Sequence, residues 1–288
     1  MSPRGWTGRQ VAGAVALVVL SVAVTRDAWA DMLDTALRDE ESSHILLVPL
    51  VAGWLFWVRR RRVRFCAPRG QLLGPLLMAA GWAVHVAGDL MLLRLAWHLG
   101  AVVVCVGAAV CVLGTSLLLR FAPALLVLAF LAPVPGRVRQ AVALPLQGAT
   151  AESTRVVLEC LGAPVSRAGN VLVLGGNEVM IAEACNGLRM AVALALVSVA
   201  FAFGTTLRPG IRLLVLALSP LLAILFNVVR LVPAVWLFGE SPGPTADAFH
   251  TLSGWVMPPV AFLSMLGVLR ALKWARVPVT PYVLAHGG

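Results

Sequence analysis

Three short stretches carry residue types that do not belong in a greasy chain. The first is IAEACNGLRM, residues 181–190, which runs directly into AVALALVSVAFAF. Cys185 and Arg189 are four apart, so a helix over them sets thiol and guanidinium on one face. A nearby cation and a helix N-terminus both lower a thiol's pKa and favour the nucleophilic thiolate. The plainer reading is a buried apolar cysteine beside an interfacial arginine that snorkels to headgroups. The second stretch, LFNVVRLVPAVWLF at 225–238, interrupts an apolar run with Asn227 and Arg230, three apart and on one helical face, with Pro233 just beyond. If that helix ends near Phe238, Arg230 lies about 12 Å inside it at 1.5 Å per residue. A guanidinium at such depth costs on the order of 3 kcal/mol on insertion scales and demands a compensating partner or a wet cavity. The third stretch, TADAFHTLSGWVMPPV at 245–260, puts Asp247 and His250 ahead of the last apolar run. Histidine exchanges protons near neutral pH, and Asp247 would orient the ring if this turn is helical. A simple headgroup contact is the competing reading.

The remaining candidates are weaker. Cys66, Cys105, Cys111 and Cys160 have no comparable setting and are assigned to packing. No C-x-x-C pair, zinc spacing or H-E-x-x-H motif occurs, so neither a metal nor a cofactor is expected.

Elements that position these residues follow from composition. Of 288 residues, 60% are hydrophobic and 12% charged, and the mean hydropathy is +0.90. A soluble domain of this size cannot hide so much apolar surface, which implies an integral membrane protein. The net charge of +10 then reflects loop arginines that fix orientation, not nucleic-acid binding. Apolar windows suggest eight spans, at about 10–25, 45–58, 71–88, 96–118, 121–136, 186–206, 211–237 and 254–272. The first has two readings, an uncleaved helix or a signal peptide with AWA at 28–30 as its cleavage site.

Charge orients the chain. With the N-terminus inside, the inner segments collect the RRRRVR run at 59–64 together with Arg120, Arg208, Arg212, Arg270, Lys273 and Arg276. All 13 acids fall in outer segments. The positive-inside rule weighs the basic cluster most and puts both termini in the cytoplasm.

The one long non-spanning segment, 137–185, falls outside. RVRQAVALPLQGATAESTRVVLECLG is expected to form an amphipathic interfacial helix, broken near Pro145. NVLVLGGNEVMIAEA reads as two short strands about Gly175-Gly176, a hairpin that delivers the chain to Cys185. The expected fold is thus an all-α polytopic membrane protein of about eight transmembrane helices, one integral membrane domain over 1–288. Segment 137–185 forms a small extracytoplasmic cap, an amphipathic helix plus β-hairpin. This topology carries Cys185, Arg230 and His250 to one side of the membrane from three consecutive spans. A thiol, a base and a cation converging there fit nucleophilic acyl transfer. His250 would deprotonate the thiol, and Arg230 would stabilise the oxyanion, a contact worth roughly 10²–10³ in rate.

ACNGLRM at 184–190, FNVVRLV at 226–232 and DAFHTLSGW at 247–255 resemble, in order, the three signature blocks of the exosortase/archaeosortase family. SHILLVPLVAGWLFWVRRRR at 43–62 resembles that family's early helix and basic loop, so the likeness runs from roughly residue 40 to 272. The resemblance implies a multi-pass cysteine transpeptidase of the bacterial cytoplasmic membrane, with Cys185, Arg230 and His250 as its catalytic residues. Arg189, Asn227 and Asp247 are then supporting residues. Implied partners are exported proteins with a C-terminal sorting signal: a short motif such as Pro-Glu-Pro, a transmembrane helix and a basic tail. The cleaved protein would pass through a thioester to a surface acceptor, an envelope polysaccharide or a lipid. One departure is Asn186, where the family commonly has a small hydroxyl residue, which puts the subfamily and substrate motif in question.

Two other function classes compete. A transporter or channel would use Arg189 and Arg230 as an anion site, but the spans lack an evident repeat or paired broken helices. A non-catalytic envelope polysaccharide assembly protein would need the cap at 137–185 but neither Cys185 nor His250.

Overall fold

The structure, a computed structural model, describes residues 8–66, 72–180, 188–240, 243–275 and 277–280. The chain divides into two compact units, residues 1–135 and 136–288.

In the first unit, α1 (Gly8–Val24) and α2 (Arg26–Arg38) meet at a 75° bend. Thr25 sits at the bend, buried, donating to the Ser21 carbonyl at 2.8 Å and accepting from Trp29 Nε1 at 2.9 Å. A 3-10 segment (Glu40–Leu47) leads into α3 (Val48–Arg59), and another (Arg60–Phe65) follows it. The antiparallel pair α4 (Leu73–Leu90) and α5 (Arg94–Leu113) is held by glycines. Gly74, Gly81 and Gly88 recur every seven residues on α4. A Cβ at Gly74 would fall 2.6 Å from Cys111 N, and one at Gly81 would fall 2.8 Å from Val104 N. On α5, Gly107 would meet Met78 N at 2.7 Å, so the two backbones touch through small residues, the usual way membrane helices approach closely. At the end of this pair Arg94 and His98 both grip Asp31 of α2, at 2.6 and 2.8 Å. Two short helices, α6 (Ser116–Arg120) and α7 (Ala122–Val127), and a 3-10 turn (Leu128–Leu131) complete the unit.

The second unit opens with α8 (Gly136–Cys160), which runs unbroken through Pro145. This departs from the expected break. Proline removes one hydrogen bond, to the carbonyl of residue 141. A buried face of Ala143, Gln147, Thr150, Ala151, Thr154 and Leu158, spaced three and four apart, keeps the helix in register. A three-stranded antiparallel sheet follows, ordered β1 (Val165–Ala168), β2 (Val171–Leu174), β3 (Asn177–Met180). Gly175 and Gly176 both take positive φ (61° and 85°), the backbone a two-residue hairpin turn needs, and Val173 pairs with Glu178 across it. Strand β1 has no counterpart in the sequence reading, because VSRA shows no alternation. Then come α9 (Leu188–Gly204), α10 (Pro209–Glu240) and α11 (Pro244–Trp274).

The protein is predominantly helical, with membrane-spanning helices. Among the described residues four helices are long and apolar enough to cross a bilayer: Glu41–Val63, Leu73–Leu90, Arg94–Leu113 and Pro209–Gly239. Up to seven crossings result if each bent helix pair counts as one, against the eight expected from the sequence. The one left out of the seven is the sixth expected span, 186–206, whose described helix, Arg189–Gly204, is apolar but shorter than a bilayer crossing needs.

Candidate active site

The site is built where α9, α10 and α11 pack together. Met190 and Leu194 of α9, Ala223 of α10 and Ala261 of α11 form a buried cluster, flanked by Phe226 and Met257. Each motif abuts this layer: Arg189 precedes Met190, Asn227 follows Phe226, and Gly254 stands one turn before Met257. A glycine at 254 leaves the α11 surface open, and the Arg230 guanidinium occupies it. A Cβ built on Gly254 would lie 3.4 Å from Arg230 Nη1.

Arg230 is half-buried and Asn227 is buried at 1% exposure, both on α10 and both engaged in polar contacts. Arg189, also half-buried and engaged, lies in the first turn of α9. A cation there opposes the helix dipole, so its position needs a partner beyond the helix itself. Helix α11 starts at Pro244, some ten residues before the apolar run, so the backbone at Asp247 and His250 is helical. The side chains of Asp247 and His250, and the whole of Cys185, lie outside the described residues. His250 is four positions before Gly254, one turn along α11. The neighbouring Ser253 is buried at 5% exposure.

On its other side α10 carries α8 and the sheet. Leu231 and Val235 of α10 pack with Ala151 and Leu158 of α8 and with Val165, Leu172 and Leu174 of the strands. Two and a half turns beyond Arg230, the sheet is seated on the α10 backbone. Asn177 Nδ2 donates to the Gly239 carbonyl at 2.6 Å, and a Cβ at Gly239 would strike Leu174 at 2.6 Å. Strand β3 starts from this point at Asn177 and ends at Met180, five residues before Cys185 in sequence.

A charged network fastens β1 to α8. Glu152 accepts from Arg155 Nη2 at 2.6 Å and from Arg167 Nη1 at 2.8 Å, and Arg155 also reaches Glu159 at 2.5 Å. Hydrogen bonds from Arg155 and Arg167 pull the Glu152 carboxyl down to about 2, while Glu152 and Glu159 hold Arg155 more firmly protonated than usual. These groups line an open polar cleft of about 530 Å³ with Ser166. Asn170 adds a bond to Gln147 Oε1 at 2.7 Å. Among the described residues no group of three or more His, Cys, Asp or Glu is arranged to hold a metal ion.

Sequence reasoning missed Gly254, Gly239 and the Glu152 network. LSGW at 252–255 held the only signal for the first, a glycine one turn beyond a candidate base inside a helix. Glu152, Arg155 and Glu159 at i, i+3 and i+7 were visible as helix-face pairs, but Arg167 joins them only through the fold.

Across most of the chain, residues 29–267, the sequence matches the profile of the family described as transmembrane exosortase. No curated protein and no solved structure matches.

Proposed function

The chain belongs to the transmembrane exosortase family, a family of membrane sorting transpeptidases, and from that premise we propose a cysteine transpeptidase that acts through a Cys185 thioester. Its substrate is an exported protein with a C-terminal sorting signal: a short motif of the Pro-Glu-Pro kind, a transmembrane helix and a basic tail. The Cys185 thiol gives its proton to His250 and the sulfur attacks the scissile carbonyl carbon. Arg230 stabilises the oxyanion of the tetrahedral adduct. Collapse breaks the C–N bond, the leaving amine takes the proton from His250, and the thioester forms. An acceptor nucleophile from the envelope, or water, then loses a proton to His250, attacks the thioester and releases the thiol. Asp247 orients His250, Asn227 steadies Arg230, and Arg189 tunes the thiol or holds a substrate carboxylate.

The observation that carries this reading is the guanidinium of Arg230 lying against Gly254, one turn from His250. Chain length adds support, since Cys185 is three residues from Leu188 and so within about 11 Å of the start of α9. In this proposal the chain is one eight-span domain of the bacterial cytoplasmic membrane with cytoplasmic termini. Segment 137–185 caps its outer face.

The test is processing of a co-expressed sorting-signal protein. Cys185→Ala is expected to abolish it, and unchanged processing would remove the proposed nucleophile. Mass spectrometry of the new C-terminus separates transfer from hydrolysis: an appended group means transfer, a free carboxylate means proteolysis.

A further inference from the structure

A second feature lies at the opposite end of the same helices. Between α9, α11 and the segment 277–280 is a groove of about 470 Å³, walled by Phe201, Leu207, Leu263, Leu266 and Val279. Its third wall is held in place by Arg208, whose backbone N–H donates to the Val279 carbonyl at 3.0 Å and whose Nε donates to the Thr280 carbonyl at 3.1 Å. Val279 is buried there against Leu207, Met265 and Leu269. Gly267 opens the α11 side, and a Cβ at that position would meet nothing within 4 Å.

At the mouth of this apolar slot stand Arg270 and Lys273, three apart on α11 and both exposed. Trp274 follows, 89% exposed, a residue type that settles at the headgroup level of a bilayer. No Asp or Glu side chain occurs in residues 184–239 or 248–288, and Asp247, the acid of α11, lies about six turns from Arg270 along the helix. From Leu263 to Arg270 the slot runs about 10 Å along the helix.

We propose that this groove binds one phospholipid with an anionic headgroup. Its phosphate contacts Arg270 and Lys273 in charge-assisted hydrogen bonds, and an acyl chain lies along Leu263, Leu266 and Gly267. Charge complementarity selects the headgroup: two cations without a carboxylate match an anionic lipid, whereas a zwitterionic one brings an ammonium with no counter-charge. A basic segment of another protein is disfavoured by the same charges.

The experiment uses the purified, delipidated full-length chain in a non-ionic detergent, with phosphatidylglycerol or phosphatidylcholine added and binding read by native mass spectrometry. Phosphatidylglycerol is expected to bind about thirtyfold more tightly than phosphatidylcholine. The double substitution R270Q/K273Q removes that preference. Gly267→Leu fills open space without disturbing packing and weakens both lipids about tenfold. Millimolar inorganic phosphate leaves the bound lipid in place. Equal binding of the two lipids, a preference that survives R270Q/K273Q, or unaltered binding by Gly267→Leu would overturn the proposal. So would displacement by inorganic phosphate, or binding that arises only once residues 281–288 are deleted, which would give the groove to the chain's own C-terminus.

Discussion

Arg230 Nη1 approaches α11 so closely that a Cβ at Gly254 would lie 3.4 Å away. That separation is at the edge of ordinary contact. Gly254→Ala is therefore expected to lower processing of a sorting-signal substrate only a few-fold. Gly254→Leu, which must push the guanidinium off the helix, should cost on the order of 10²-fold, the scale of losing an oxyanion donor. Substrate turnover measured beside thermal unfolding separates the two effects. Equal activity in wild type and Gly254→Leu would show that the guanidinium's place on α11 does not matter.

Arg230 and lysine are not equivalent here. A guanidinium offers five donors in a fixed plane, whereas an ammonium is a strongly hydrated point charge that loses more on leaving water. Asn227 is buried at 1% exposure on the same helix and Arg230 is half-buried, so an ammonium at 230 would give up part of its hydration. Arg230→Lys should reduce turnover by roughly 10²–10³ with KM changed far less than kcat, because the contact strengthens in the transition state. A loss confined to KM would instead make Arg230 a substrate anchor.

The three motifs were legible because charges in oil are conspicuous. Arg189, Arg230 and His250 stood out against apolar runs, and the hairpin followed from two glycines between β-rich stretches. What escaped was everything that depends on proximity without a chemical signature. Gly254 and Gly239 are ordinary residues in a helix sequence, and they matter only because Arg230 and Leu174 come to rest on them. The glycine ladder of α4 is a seven-residue repeat visible in the sequence, but its partners Gly100 and Gly107 are found only by pairing helices. Pro145 was misjudged for the opposite reason. A strong local rule favoured a break, and burial of the face from Ala143 to Leu158 overrode it.

Gly239 is where the sheet meets α10. Its replacement by alanine drives a methyl into Leu174, which a Cβ would approach to 2.6 Å. Overpacking of this kind costs about 1–3 kcal/mol. Asn177→Ala, which loses the 2.6 Å bond to the Gly239 carbonyl, should cost about 1 kcal/mol. Thermal unfolding in detergent measures both. Since the two changes act at one contact, the double variant is expected to lose less than the sum. Strict additivity would mean that the sheet rests on α10 through other groups.

Acid should loosen α8 from β1. The folded Glu152 carboxyl titrates at about 2 against an ordinary 4.5, so its bonds to Arg155 and Arg167 favour the ionised form. A depressed folded value means the stabilisation is complete above about pH 4.5 and drains away as pH falls toward about 2. Glu152 and both arginines face solvent in part, so the slope should be shallow and should flatten further at high salt. Glu152→Gln removes the charge at every pH. Its melting temperature should lie below that of the wild type near neutrality and converge on it in acid. The protons involved sit on one side chain, so a difference that persists at the lowest pH would assign the stabilisation to packing of the Glu152 side chain instead of to its charge.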